Sequence, residues 1–523
     1  MSIPHLTGEL RNTGGGRVAA GRPAPQRLTW PYMRESAGRR VLVASNRGPV
    51  SYTQGDDGRL VGRRGGGGMV SGLSSVADTE DMLWVCAALS DGDRAAAREA
   101  GDGGLLPWEG TAGDSAVRML DLPEQVFDRA YNAVANSTLW FVHHMLYDTP
   151  NKPAFGLQFQ GEWADFRAYN EAFAAALAEA PGPADGQLRA VIQDYHLCLA
   201  PRMLASRASH IRIAHFSHTP WAPPDYYRLL PDQAGREILA GILGAHHAGF
   251  LCQRWADAFL DCCEAFLDCK VDRARREVQY DGHLTTVGVH PLGVDGDQLR
   301  ERAAAQDVQD RMATIAEQTA GRTLIVRVDR TELSKNIVRG LEAYRELLHS
   351  HPEWHGRITK LAFAYPSRDD LPEYRAYAAS VQRLARQIQD EFAIPGWEPL
   401  ILQVDDDYPR SLAAMRMADV LLVNPVRDGM NLVAKEGPIL SDHGCAIVLS
   451  TEAGAAAELG DEALLVNPFD VSETAEALHR ALAMTQQERA RRSQVLAAAA
   501  TAMPPQRWFA SQLDALDQQP VRP

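Results

Sequence analysis

The 523-residue sequence lacks any run of about 18 consecutive apolar residues, so no membrane-spanning helix is expected. Cysteine is sparse. The seven thiols, at 86, 198, 252, 262, 263, 269 and 445, form no CxxC pair and no zinc spacing. That argues against a disulfide framework or zinc module and for reduced thiols in a cytoplasmic protein. Positive charge is also short: 53 Lys and Arg against 67 Asp and Glu leave a formal net charge of −14. A nucleic-acid partner would call for a basic face, so none is expected, although a local basic pocket is compatible with this balance. No G-x-G-x-x-G follows the first strand pattern, which excludes the usual loop of an NAD-dependent oxidoreductase. There is no HExxH, and the Asp-rich "QVDDDYPR" reads as a loop rather than a metal motif, so neither metal nor cofactor is expected. Residues 1–38 have no apolar secretory segment. Residues 1–40 hold seven Arg against two Glu, a basic stretch that reads as a disordered tail.

What remains is an ordinary globular composition, 45% apolar and 23% charged, long enough for about two domains. From residue 40, short β-branched runs alternate with helical patterns. "RVLVAS" (40–45), "MLWVCAA" (82–88), "AVRMLDL" (116–122), "AVIQDYH" (190–196), "IRIAHFSH" (211–218), "AGFLC" (248–252) and "TTVGVHPLGV" (285–294) read as strands. So do "TLIVRVD" (323–329), "KLAFAY" (360–365), "LILQV" (400–404), "DVLLVNP" (419–425), "AIVLS" (446–450) and "ALLVNP" (463–468). Residues 162–180 carry the 3.6-residue period of a helix. Alternating strand and helix predicts α/β architecture with parallel sheets covered on both faces. Two such sets, split near 292–320, predict two Rossmann-like domains facing a central cleft, 39–292 and 293–490.

In such sheets ligands meet the loops at the carboxyl ends of strands. Arg47 ends the first strand. Gly66, Gly67 and Gly68 belong to a four-glycine loop ahead of a helical run, suited to close approach by a phosphate. No Lys-Ser/Thr follows, so it is not a P-loop. Asp194 and His218 follow two different strands and can meet across a site, for base work or for binding sugar hydroxyls. His215 reads as a core histidine. Tyr131 and Trp140 lie nine apart, two and a half α-helical turns, which by spacing alone places them on different faces and favours core packing. Arg330 and Lys335 flank a helix start, a pattern for a diphosphate. Arg368 ends another strand. In "VRDGMNLVAKE", Gly429 permits close backbone approach, and Met430, Asn431, Leu432 and Val433 offer N–H groups. Asp428 is a strong acceptor for hydroxyls, and Glu436 suits a ribose diol. The three Asp of "QVDDDYPR" (403–410) read as a loop at a strand end.

Taken together, "SNR", the glycine loop, "YN…NSTLW", "QDYHL", "HFSHTPW", "DRTELSK", "PSR" and "RDGMNLVAKE" resemble the trehalose-6-phosphate synthases, retaining GT-B glycosyltransferases of family 20, in family order across about residues 41–470. The likeness looks closest to actinobacterial forms. The resemblance implies transfer of glucose from a nucleoside diphosphate glucose to glucose 6-phosphate, with the base (UDP, GDP or ADP) left open. It implies a donor site of Arg330, Lys335, Gly66–Gly68, Asp428, Gly429–Asn431 and Glu436, with His218 near the reacting centre. Asp194 would bond sugar hydroxyls. Arg47, Tyr131, Trp140 and Arg368 would clamp the acceptor phosphate. Such enzymes are described as front-side displacements in which the leaving phosphate takes the acceptor proton. The terminal segment 491–523, with "PPQRWFASQLDAL", resembles the helix that crosses back to the first domain in this fold. One departure is plain: where the family often has "RLDYSKG", this chain has "RTELSKN", so Asn336 replaces a glycine. Two alternatives stay open, a pseudo-glycosyltransferase that couples cyclitols and a catalytically silent regulatory subunit. A homo-oligomer is also open.

Overall fold

The computed structural model describes residues 41–55, 59–64, 82–101, 104–108, 115–180, 188–368 and 371–518. The tail 1–38 and the predicted phosphate loop Gly66–Gly68 lie outside the described residues. Each apolar run named above folds as a strand. The first half gives β1 (Val41–Ala44), β2 (Val50–Gln54), β3 (Leu60–Arg64), β4 (Met82–Ala87), β5 (Leu106–Pro107), β6 (Ala116–Leu120), β7 (Arg189–Gln193), β8 (Arg212–Ser217), β9 (His247–Phe250), β10 (Lys270–Asp272), β11 (Glu277–Tyr280) and β12 (His283–Val289). β2 and β3 form a separate antiparallel hairpin, and the rest make one sheet ordered β10-β11-β12-β9-β8-β7-β1-β4-β6-β5. It is parallel from β12 to β6, with antiparallel strands at both edges.

The second half gives β13 (Thr323–Arg330), β14 (Ile358–Tyr365), β15 (Leu400–Gln403), β16 (Val420–Val423), β17 (Ala446–Ser450) and β18 (Leu464–Val466). These form an all-parallel sheet ordered β15-β14-β13-β16-β17-β18. Both sheets are doubly wound. The winding reverses between β1 and β7 in the first sheet and between β13 and β16 in the second. Such reversals open a crevice at the strands' carboxyl ends.

A parallel strand covered on both faces has no solvent side, which is why β1, β4 and β16 are apolar and buried at every position. β13 breaks the rule with two buried charges. Arg327 and Asp329 pair at 3.0 Å, and Arg327 also donates to the Asn424 side chain and the Lys335 carbonyl. This buried guanidinium braces the loops after β13 and β16 against one another. Among the crossover helices, Leu157–Ala178 starts ahead of its predicted first turn. It buries Phe159, Trp163, Phe166, Asn170, Phe173 and Leu177, the i, i+3, i+4 stripe of a core-facing helix.

One element departs from expectation. Residues 129–139 form a π-helix, between α-helical turns Glu124–Asp128 and Trp140–His143. The wider i→i+5 turn brings nine residues to roughly two full turns, so Tyr131 and Trp140 approach one face rather than opposite ones. The terminal helix Pro505–Asp517 lies against β7, β8 and β9 of the first sheet. There Trp508 meets the Phe216 ring edge-on at 4.9 Å. No helix among the described residues is long and apolar enough to cross a membrane.

Candidate active site

The second sheet's switch point is built from the ends of β13 and β16. Arg330 closes β13 with its side chain 57% exposed. Lys335 follows one 3-10 turn later and donates from Nζ to Asp428 Oδ2 at 2.6 Å, both side chains 16% exposed. Asn336 stands in the left-handed region, at φ 59° and ψ 37°. This explains how it replaces a glycine: Asn tolerates that conformation. Its amide also works there, donating to the carbonyls of Asn424 at 3.0 Å and Pro468 at 2.7 Å. The helix behind it, Ile337–Ser350, is not an open anion site. Ile337 N–H and Val338 N–H both donate to the Tyr377 hydroxyl, at 2.6 and 3.4 Å. The cations of this loop are therefore the side chains of Arg330 and Lys335.

After β16 the loop turns sharply. Arg427 swings away to Glu452 at 3.1 Å and lies over the Trp255 ring. Asp428 faces Lys335 and also accepts from Asn431 Nδ2 at 3.1 Å. Gly429 has no room for a side chain: a Cβ would sit 1.9 Å from the His218 carbonyl oxygen. Its own carbonyl accepts from Trp255 Nε1 at 2.9 Å. The two halves therefore touch backbone to backbone at this residue. Asn431, at φ 74°, turns the chain and caps the helix Val433–Leu440 by accepting from Ala434 N–H. Met430, Asn431, Leu432 and Val433 precede the first closed helical bond, Glu436 N–H to the Leu432 carbonyl, so their N–H groups are not used within the helix. Among the described residues Glu436 has no ion-pair partner, and burial pushes its carboxyl up to about 7.

The first sheet's switch point faces this loop. Arg47 follows β1, exposed. Asp194 follows β7 at φ 72° and ψ 169°, a conformation that costs a non-glycine residue about 1–3 kcal/mol and is concentrated at functional sites. Its Oδ1 accepts from His218 N–H at 3.2 Å. Burial, only partly offset by those N–H bonds and by Arg368, pushes its carboxyl up to about 7. His218, after β8, is held by Gln193 Oε1 at 2.7 Å from Nε2 and by the Trp508 ring at 5.5 Å. Burial lowers His218 to about 3, so it is a neutral imidazole donating to Gln193. His215 is the core histidine that the sequence indicated, buried with Nε2 3.3 Å from the Asp194 carbonyl.

The predicted clamp assembles around His196. Tyr131 stacks on the His196 ring at 5.6 Å. The charges of Arg368 and Arg47 reach His196, adding to the burial that lowers it to about 3. Arg368, at φ 51° after β14, places its guanidinium 4.4 Å over the Trp140 ring and donates to the Tyr374 hydroxyl at 2.6 Å. It comes from the second sheet's side, so this cluster is completed across the cleft.

Sequence reasoning missed several participants. His144 stacks under Trp140 at 3.8 Å, and the "HH" after "WFV" was its only signal. Gln193, Trp255 and Trp508 act on site residues remote in sequence, and nothing local marks them. Gly454, whose Cβ would meet the Gly429 carbonyl at 1.9 Å, is a second enforced glycine. Glu332 is fully buried beside Arg330.

Two doubly wound sheets opposed at their switch points, with cations on both sides and carboxylates between them, are the α/β GT-B arrangement. The chain belongs to glycosyltransferase family 20, whose model matches residues 39–518. It is 31% identical over 463 residues to the UDP-forming alpha,alpha-trehalose-phosphate synthase of Schizosaccharomyces pombe, covering 87% of this chain and 86% of that one. It is 29% identical over 459 residues to synthase A of Dictyostelium discoideum, but spans only 60% of that longer protein. Among solved structures, the Escherichia coli protein bound with UDP-2-fluoro glucose superposes with a TM-score of 0.80 at 27% identity, covering 92% of this chain and all of that one. These relatives, amoebal, fungal and enterobacterial, lend no support to a particular actinobacterial likeness.

Proposed function

We propose that this protein is a retaining glucosyltransferase that makes α,α-trehalose 6-phosphate from a nucleoside diphosphate glucose and glucose 6-phosphate. UDP-glucose is the first donor to consider, since the fungal and amoebal relatives are named UDP-forming. The observation that carries the reading is the pairing of two cation sets across one cleft: Arg330 and Lys335 after β13, Arg47 and Arg368 facing Tyr131, Trp140 and His196. Each suits one phosphorylated substrate. The first sheet, 39–292, would supply most of the acceptor site and the second, 293–490, the donor site. Buried reduced thiols and phosphorylated sugars suit a cytoplasmic setting.

The chemistry follows from which groups are committed. A double displacement needs a free carboxylate beneath the anomeric carbon. Here Asp428 is held by Lys335 and Asn431, and Asp194 by backbone N–H groups. A front-side displacement needs neither. The acceptor hydroxyl bonds to the anomeric carbon on the face from which the diphosphate leaves, and its proton passes to the departing phosphate oxygen. Lys335 and Arg330 stabilise the charge that grows on the diphosphate. Lys335 keeps its bond to Asp428 Oδ2 while its charge acts on the diphosphate, and Asp428 grips the donor glucose through its other oxygen. His218 and the backbone from Gly429 orient the sugar. Glu436, half-buried and without an ion-pair partner among the described residues, takes the ribose diol. The test is turnover of glucose 6-phosphate with UDP-, GDP- and ADP-glucose, reading released nucleotide and sugar product. The expected result is trehalose 6-phosphate from one preferred donor, and silence with all three removes the reading.

A further inference from the structure

Two phosphate sites built from four cations would repel one another in an empty cleft, and one buried carboxylate stands between them. Glu332 is 0% exposed, at the end of β13. Its Oε1 lies 3.1 Å from Arg330 Nη2 and accepts from the Ser367 hydroxyl at 3.0 Å. Ser367 precedes Arg368, whose left-handed backbone conformation must be held by its surroundings. Thr331 N–H donates to the Tyr365 carbonyl at 2.6 Å, so the ends of β13 and β14 are tied at the same place. Glu332 Oε2 is buried with no hydrogen-bond partner among the described residues. Burial opposes ionisation of this carboxyl, yet the charges of Arg330, Arg368 and Lys335 together hold it below the ordinary range. A buried charge is a poor way to gain stability, because an apolar side chain of similar size does as well or better. Its use here calls for another reason.

We propose that Glu332 is a positioning residue shared by both phosphate sites: it holds Arg330 on the donor side and, through Ser367, the turn that presents Arg368 on the acceptor side. This rests on the donor and acceptor reading of the cleft. Without the carboxylate, the half-exposed Arg330 loses its fixed direction and the Arg368 turn loses its anchor. A purely electrostatic role has the opposite sign, because deleting a negative charge beside two anion sites tightens both.

Calorimetric titration of the full-length protein with UDP and, separately, with glucose 6-phosphate decides the matter. Wild-type protein binds both. If it binds neither, the reading of the cleft fails. With wild-type binding in place, Glu332→Met weakens both ligands by about tenfold or more, the scale of a lost charge-assisted contact. Ser367→Ala, which cuts one arm, weakens glucose 6-phosphate and leaves UDP unchanged. Unchanged or tighter binding of either ligand to Glu332→Met overturns the proposal, as does equal loss of both ligands in Ser367→Ala. Should Glu332→Met fail to fold, the Ser367→Ala result decides alone.

Discussion

The residues that define this cleft are recognisable by what they lack. Glu436 and Asp194 are carboxyls with no Lys or Arg ion pair among the described residues, and burial pushes both to about 7. The sign of the consequence is fixed. In the unfolded chain these groups titrate near 4, so between about pH 4 and 7 the native state holds the extra protons, and stability falls as pH rises through that window. Glu436→Gln and Asp194→Asn are therefore expected to raise Tm at pH 8 by about 2–4 °C each. At pH 4 the gain disappears, and scanning calorimetry at the two pH values checks it. An equal gain at both would mean that the carboxylates are not desolvated. The histidines titrate the other way: His196 and His218 fall to about 3 and His144 to about 4, burial being the first cause in each. All three are neutral at pH 7, so the fixed positive charge of the cleft belongs to Arg and Lys alone.

At the scale of elements, the strands were legible and the contacts between them were not. β1, β4 and β16 announce themselves because burial on both faces demands unbroken apolar runs, and β13 does so despite Arg327 and Asp329; the carboxyl ends of β1, β13 and β16 mark where Arg47, Arg330 and Asp428 lie. The π-helix was not legible. Spacing arguments assume an α turn, and the local sequence "RAYNAVANSTL" carries nothing that forbids one, so Tyr131 and Trp140 were separated on paper, whereas in space they reach the adjoining His196 and Tyr195 rings. Trp508 under His218, and Trp255 against Gly429, join residues far apart in the chain and leave no local pattern. Gly429 itself was singled out for backbone approach to a ligand, whereas the structure shows that it also meets protein backbone. Gly429→Ala is accordingly expected to abolish turnover, because the added methyl must push the β16 loop off the His218 carbonyl. Activity within about tenfold of wild type would show that the loop shifts at little cost.

For the whole molecule, two switch points face one cleft, and the first sheet borrows two parts from later in the chain. The first sheet is floored by the terminal helix, whose Trp508 supports His218. The second sheet lends Arg368 to the aromatic wall of the first. Arg254 pairs with Glu452 at 2.8 Å and Lys152 with Glu373 at 2.5 Å, further bridges between the halves. The central claim is that the two cation sets serve different substrates. Steady-state kinetics of Arg368→Ala, varying glucose 6-phosphate and the nucleotide sugar in turn, tests it most directly. The account predicts a KM for glucose 6-phosphate raised by about tenfold or more, with the donor KM within about twofold of wild type. An equal rise in both, or a rise for the donor alone, would contradict it.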